Sequence, residues 1–125
     1  MDVRWSVLLL GMTLLPFTGC GSGKPSASKA YDHFVAASKA LETGDKETAF
    51  SELSASIKTS PTDWAYFQRA RLNLDKGQED QAVADCNKGL ELNSRSPELL
   101  WLSAELKKPA AQRFKGKLAK PPASK

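Results

Sequence analysis

Cysteine and histidine are nearly absent from this chain, which holds two cysteines, Cys20 and Cys86, and one histidine, His33, among 125 residues. So small a supply excludes a disulfide framework. With no Cys-x-x-Cys pair and no second imidazole, no zinc-type ligand set can be assembled either. A general base or a metal ligand needs companions, so His33 reads as a structural side chain at a helix-packing position. Phosphate loops, dinucleotide fingerprints and nucleophile elbows are missing as well. Glu79, Asp80 and Asp85 are spaced like a solvated helix face, not like a carboxylate pair held apart by burial. These absences argue against an enzyme, and neither a metal nor another cofactor is expected.

Acidic side chains stop at Glu105, whereas seven basic residues follow from Lys107 onward. Residues 21–106 carry ten basic and thirteen acidic side chains, a net charge of −3, so the chain's overall +4 resides in its tail. A mildly acidic body with a basic end does not point to a nucleic-acid-binding fold. Long apolar runs are also lacking. The run "VLLLGMTLLPF" at residues 7–17 falls short of the roughly 20 residues that cross a bilayer, but it suits the core of an export signal.

Thr18, Gly19 and Cys20 follow that run directly. A large apolar residue, two small ones and a cysteine resemble the bacterial lipobox, with Phe17 where leucine is more usual. The resemblance implies cleavage of a lipoprotein signal peptide, residues 1–19, and acylation of Cys20 as the first residue of the mature chain. Two or three acyl chains anchor firmly, whereas one, at ~0.8 kcal/mol per buried methylene, holds only marginally. It further implies a cell-envelope location. Gly21 in place of aspartate after the acylated position points, in Gram-negative relatives, to the outer membrane, facing the periplasm. Residues 20–29, rich in Gly, Ser and Lys and without periodicity, read as a flexible tether.

The body repeats itself. Shifted by 33 residues, Phe34 falls on Phe67, Ala37 on Ala70, Leu41 on Leu74, Gly44 on Gly77, Ala49 on Ala82 and Ile57 on Leu90. Self-similarity at this period marks a repeat array. Each unit reads as two helices of about 12–14 residues, with Gly44 and Gly77 at the exits from the first helices, where a left-handed conformation ends a helix. Ala37, Ala70, Ala49 and Ala82 stand where packed axes come close, at ~8–10 Å, and Pro61 closes the first unit. Downstream, Ser96 can cap and Pro97 can open a fifth helix, with Leu99, Leu102 and Leu106 on one face and Pro109 as terminator.

Tyr66, Ala70, Gly77, Ala82, Leu90 and Pro61 together resemble the tetratricopeptide repeat. Asn73, His33 and Ser94 depart from its pattern. The resemblance implies an all-α fold, a short helical-hairpin solenoid of two repeats plus a C-terminal capping helix. Its expected parts are repeat 1 at 30–62, repeat 2 at 63–96, the capping helix at 97–108 and a basic disordered tail at 109–125. Cys86, four residues after Ala82, takes a core place in a second helix and reads as a small buried hydrophobe. Two and a half repeats are fewer than the three or so that usually suffice, so a homodimer or a stabilising partner is expected.

For function, the family implies a non-catalytic scaffold whose concave side receives a peptide or partner protein. Its geometry sends Tyr31, Phe34, Ser38, Leu41 and Glu42 of the first unit into that groove, with Trp64, Phe67, Arg71, Leu74 and Asp75 of the second. Trp64 and Arg71 are the expected hot spots, whereas Phe34, Phe67 and Leu74 fit packing between helices equally well. The lysine and asparagine clamp of some members is not found at Phe34, Ser38 or Gln68. The alternative is a structural envelope lipoprotein whose basic tail binds anionic polymer or phospholipid, each basic residue contributing about 1 kcal/mol near such a surface. For the tail itself, a disordered solubilising end is the preferred reading of its composition over such a hook.

Overall fold

The computed structural model describes residues 25–116 and 119–123. The expected signal segment 1–19, Cys20 and the tether up to residue 24 lie outside the described residues. The elements are α1 (Pro25–Thr43), α2 (Lys46–Thr59), α3 (Asp63–Asp75), α4 (Glu79–Leu92) and α5 (Pro97–Leu106), followed by a 3-10 turn at Ala110–Gln112. No strand occurs among the described residues, and the fold is all-α. None of these helices is long and apolar enough to cross a membrane.

Helix ends follow local chemistry. Gly44 and Gly77 have φ of 76° and 74°, a region in which a side chain would be strained. At the first exit Asp45 N–H donates to Ala40 C=O (2.9 Å) and Gly44 N–H to Leu41 C=O (3.3 Å). At the second, Gln78 N–H donates to Asn73 C=O (2.8 Å) and Gly77 N–H to Leu74 C=O (3.0 Å). Both are Schellman closures, which satisfy carbonyls the helix leaves unpaired. Asp45, Thr62 and Ser96 accept from the backbone N–H three residues on, capping α2, α3 and α5. Helix α1 begins at Pro25, so residues 25–29 are helical and not part of a loose tether. Proline's fixed φ and missing N–H suit that first helical position.

Consecutive helices pack on one another, and α5 also reaches α3. Ala37, Ala49, Ala70 and Ala82 are fully buried at the crossings. One core cluster joins Ala37, Ala40, Ala49, Leu53, Ala65 and Leu72. The other joins Phe67, Ala70, Ala82 and Cys86 to Leu99, Leu102 and Leu106 of α5. Cys86 is 1 % exposed, 33 positions after the fully buried Leu53, and its Sγ donates to Leu99 C=O. Burial pushes its thiol pKa up, which suppresses the reactive thiolate.

Two expectations change here. Asp85 does not belong to a solvated face: it is 5 % exposed. Arg69 grips it through Nε (2.9 Å) and Nη2 (2.6 Å), and Asn73 Nδ2 adds a third donor at 3.0 Å. A carboxylate leaves water only where its charge is met, and here a guanidinium meets it. The same bond holds the Arg69 pKa up.

The tail, expected to be disordered from 109, instead folds back. Arg113 reaches both oxygens of Glu79 (2.9 and 2.8 Å) and the carbonyls of Lys108 and Leu106. Phe114 N–H donates to the Glu105 carboxylate (2.7 Å), and its ring lies 5.5 Å from that of Trp101. A guanidinium fork and an aromatic ring supply docking energy that the surrounding Lys/Pro/Ala composition conceals.

Candidate functional site: a concave face centred on Arg71

Three cavities of about 390, 500 and 210 Å³ open along the face built by α1, α3 and α5, and Arg71 lines all three. Its place on α3 explains this. Arg71 lies four residues after Phe67, so the two stack on one helix face. Phe67 turns into the core and forms the floor, with the Arg71 guanidinium carbon 5.7 Å above its ring. Gln68 Oε1 accepts from Arg71 Nη1 at 3.3 Å. Among the described residues no carboxylate lies within ion-pair reach of Arg71, whose charge therefore faces the groove.

Aromatic residues continue the face towards α1. Trp64, in the first turn of α3, has its ring 4.5 Å from Phe34, and Phe34 lies 6.3 Å from Tyr31. A pair such as Phe34–Trp64 contributes about 0.5–1.5 kcal/mol beyond its buried area. Tyr31 is 66 % and Phe34 38 % exposed, so this row ends in water. Carboxylates border the groove: Glu42 and Asp75 at the first cavity, Asp63 and Glu98 at the second. Lys46 holds Asp75 at 2.7 Å, and Asn93 donates to Asp63 at 2.7 Å. The surface thus offers aromatic planes, one guanidinium and an acidic rim. That combination suits an extended polypeptide with apolar and basic side chains.

Of the residues named from sequence, Trp64, Arg71, Leu41, Glu42, Leu74 and Asp75 line the cavities. Phe67 does so from a buried position (5 % exposed) and belongs to the core. Phe67 is therefore placed as the floor of the 500 Å³ cavity, where packing between helices and lining the groove coincide. Tyr31 and Phe34 form the exposed aromatic edge and line none of these three cavities. Ala37, Ala49, Ala70, Ala82 and Cys86 are buried, while Gly44 and Gly77 terminate helices. Cys20 falls outside the described residues.

Pro121, Pro122 and Ala123 also line the 500 Å³ cavity, opposite Trp64, Phe67 and Arg71. Composition gave no sign of this. The lone aromatic of the tail, Phe114, was the available signal, since an aromatic in a Lys/Pro-rich end is costly to leave in water.

Other chemistry can be located. His33 Nδ1 lies 2.7 Å from Glu52 Oε2, linking α1 to α2 away from the cavities. No group of three His, Cys, Asp or Glu side chains is placed to hold a metal among the described residues. No family model, curated protein or solved structure matches the chain.

Proposed function

We propose that this protein is a tetratricopeptide-like lipoprotein of a bacterial envelope that holds a peptide or partner protein in its concave face, without catalysis. The lipobox resemblance at residues 17–20 supports the anchor through Cys20. The 33-residue period, the paired Schellman closures at Gly44 and Gly77 and the buried alanines support two helical-hairpin repeats closed by α5. One observation carries the binding role: Arg71, unmatched by any carboxylate among the described residues, stands at the junction of three cavities beside an exposed aromatic row. Tryptophan, tyrosine and arginine are the side chains enriched among residues that dominate binding energy at interfaces. Anchoring would confine this face to the membrane surface, raising its effective concentration towards partners there.

Cross-linking capture from membranes, comparing the intact chain with Trp64→Ala and Arg71→Ala, tests the reading. Both substitutions should reduce partner recovery by tenfold or more, about 1.4 kcal/mol or more each. Undiminished recovery from both variants would defeat it. Intact-mass measurement tests the anchor separately: a mature chain beginning at an acylated Cys20 is expected, and a retained Met1 contradicts it.

The second reading, a basic tail gripping anionic polymer or phospholipid, draws on exposed Lys115 and Lys120. It predicts that both groove variants retain full binding to anionic vesicles and that partner recovery does not depend on Trp64.

A further inference from the structure

The C-terminal segment of this chain forms one wall of the groove. Pro121, Pro122 and Ala123 face Trp64, Phe67 and Arg71 across the 500 Å³ cavity, and Ala119, Lys120 and Pro121 border the neighbouring cavity beside Arg71. We propose that the C-terminal segment 119–123 is a built-in occupant of the partner groove, and that the external ligand is likewise an extended, proline-containing, lysine-flanked polypeptide segment. The inference rests on the groove reading above and names the class of its ligand.

Three observations carry it. First, the segment is aimed by a clasp. Arg113 binds Glu79 in a two-pronged ion pair and also donates to the last carbonyl of α5, that of Leu106, where a cation is favoured by the helix dipole. Phe114 takes φ 53°, a conformation uncommon for a bulky side chain. Its N–H bond to Glu105 and its ring against Trp101 hold it there. A strained residue pinned from both sides fixes the course of the tail at position 114.

Second, the chemistries match. Proline has no N–H to leave unpaired and a φ already fixed, so laying Pro-Pro on aromatic surface costs little conformational entropy. Third, the rim favours a basic segment. The chain from Lys107 onward has no acidic residue, while Asp63, Glu98 and Asp75 outnumber the single groove cation outside that segment, Arg71, around the same two cavities. Opposed charges of this kind set orientation and speed encounter more than they add affinity.

A tethered occupant acts at a local concentration of roughly millimolar, so a free ligand of similar intrinsic affinity must displace it and appears correspondingly weaker. Weakening the clasp frees the groove. The clasp residue Arg113 lines none of the three cavities, so altering it leaves the binding surface intact.

The test uses the full chain and a synthetic peptide of the sequence KLAKPPASK, residues 117–125. The Trp64 indole N–H resonance, assigned by its loss in Trp64→Ala, reports whether the tail is seated. In Arg113→Gln, and in the double variant Pro121→Ala/Pro122→Ala, this resonance should shift without added peptide. The peptide should then bind both variants roughly tenfold more tightly than it binds the parent chain, given the local concentration displaced. An unchanged Trp64 resonance in both variants overturns the inference, and so does equal peptide affinity for parent and variants. A tail that proves seated while partner recovery ignores Trp64 would instead defeat the groove reading, so the two failures are separable.

Discussion

Gly89 sits in α4 where α5 crosses it, and replacing it with alanine sets two effects of opposite sign against each other. In an exposed helix interior, Gly→Ala stabilises by about 1 kcal/mol through backbone entropy. Here the added methyl would stand 2.5 Å from Leu99 Cδ1, 3.2 Å from Leu99 Cδ2 and 3.2 Å from Tyr66 Cβ. Leu99 is fully buried and cannot swing away without displacing its neighbours. Tyr66 Cβ is tied directly to the α3 backbone. Overpacking of this kind costs about 1–3 kcal/mol, and the smaller propensity gain does not cancel it. Gly89→Ala should therefore destabilise by about 1 kcal/mol net, lowering Tm by roughly 4–8 °C in a domain of this size. Thermal unfolding followed by circular dichroism reads this directly. A second arm isolates the cause. Leu99→Val keeps a branched apolar side chain but has no Cδ atoms, so Gly89→Ala added to it should be neutral or stabilising. The coupling between the two substitutions should be about 1–2 kcal/mol. A single variant as stable as the parent, or strictly additive effects, would refute this account of the α4–α5 crossing.

Asp85→Ala removes the acceptor of Arg69 Nε and Nη2 and of the Asn73 amide, leaving Arg69 only its Nη1 bond to Ser54, and should cost roughly 2–3 kcal/mol, discounted for the partial exposure of Arg69, measured by urea denaturation; a loss under ~0.5 kcal/mol, the range of ordinary surface substitutions, contradicts the assigned network. The tail should respond to acid. Hydrogen bonds from Lys108 and the Phe114 N–H hold the Glu105 carboxyl below its ordinary value of 4.5, and Arg113 does the same for Glu79. Both pKa values are lower when the tail is docked, so their contribution is complete above about pH 4.5 and fades as pH falls through the lower docked values. Nuclear Overhauser contacts between Phe114 and Trp101 should persist at pH 6 and vanish only as the pH falls below about 4.5, through the lowered values of Glu105 and Glu79; their loss between pH 7 and 5.5 would contradict the assignment.

What the sequence made legible and what it hid have separate physical causes. The 33-residue spacing was visible because helix exits and close crossings admit few residue types: Gly44 and Gly77 for the left-handed turn, alanines for the crossings. Cys86 was placed in the core by its distance from Ala82, and the structure puts it where Leu53 stands in the first unit. Asp85 was misplaced because Glu79 and Asp80, its near neighbours, do face water. Its position between Ala82, Cys86 and Gly89 on the buried side of α4, opposite Arg69 and Asn73 spaced one helical turn apart on α3, was the overlooked signal. Composition misjudged both flanks of the body. Pro25 opens a helix instead of interrupting a tether, and Arg113 with Phe114 docks a segment whose lysines and prolines suggested only solvation. Trp64 and Arg71, named from the family resemblance, line one cavity together. The depth of Phe67 and the presence of Pro121 and Pro122 depend on long-range packing that no local pattern encodes.

Partners should meet the cavity-lined face around Arg71 and not the exposed side of α4. A photoreactive amino acid placed at position 68, which borders the first two cavities, or at the exposed position 80 on α4, tests it in membranes that carry the full chain. Adducts of one defined mass from position 68, competed by Lys-Pro-Pro-containing peptide, with none from position 80, are the predicted result. Equal adducts from both positions, or adducts from position 80 alone, would contradict it.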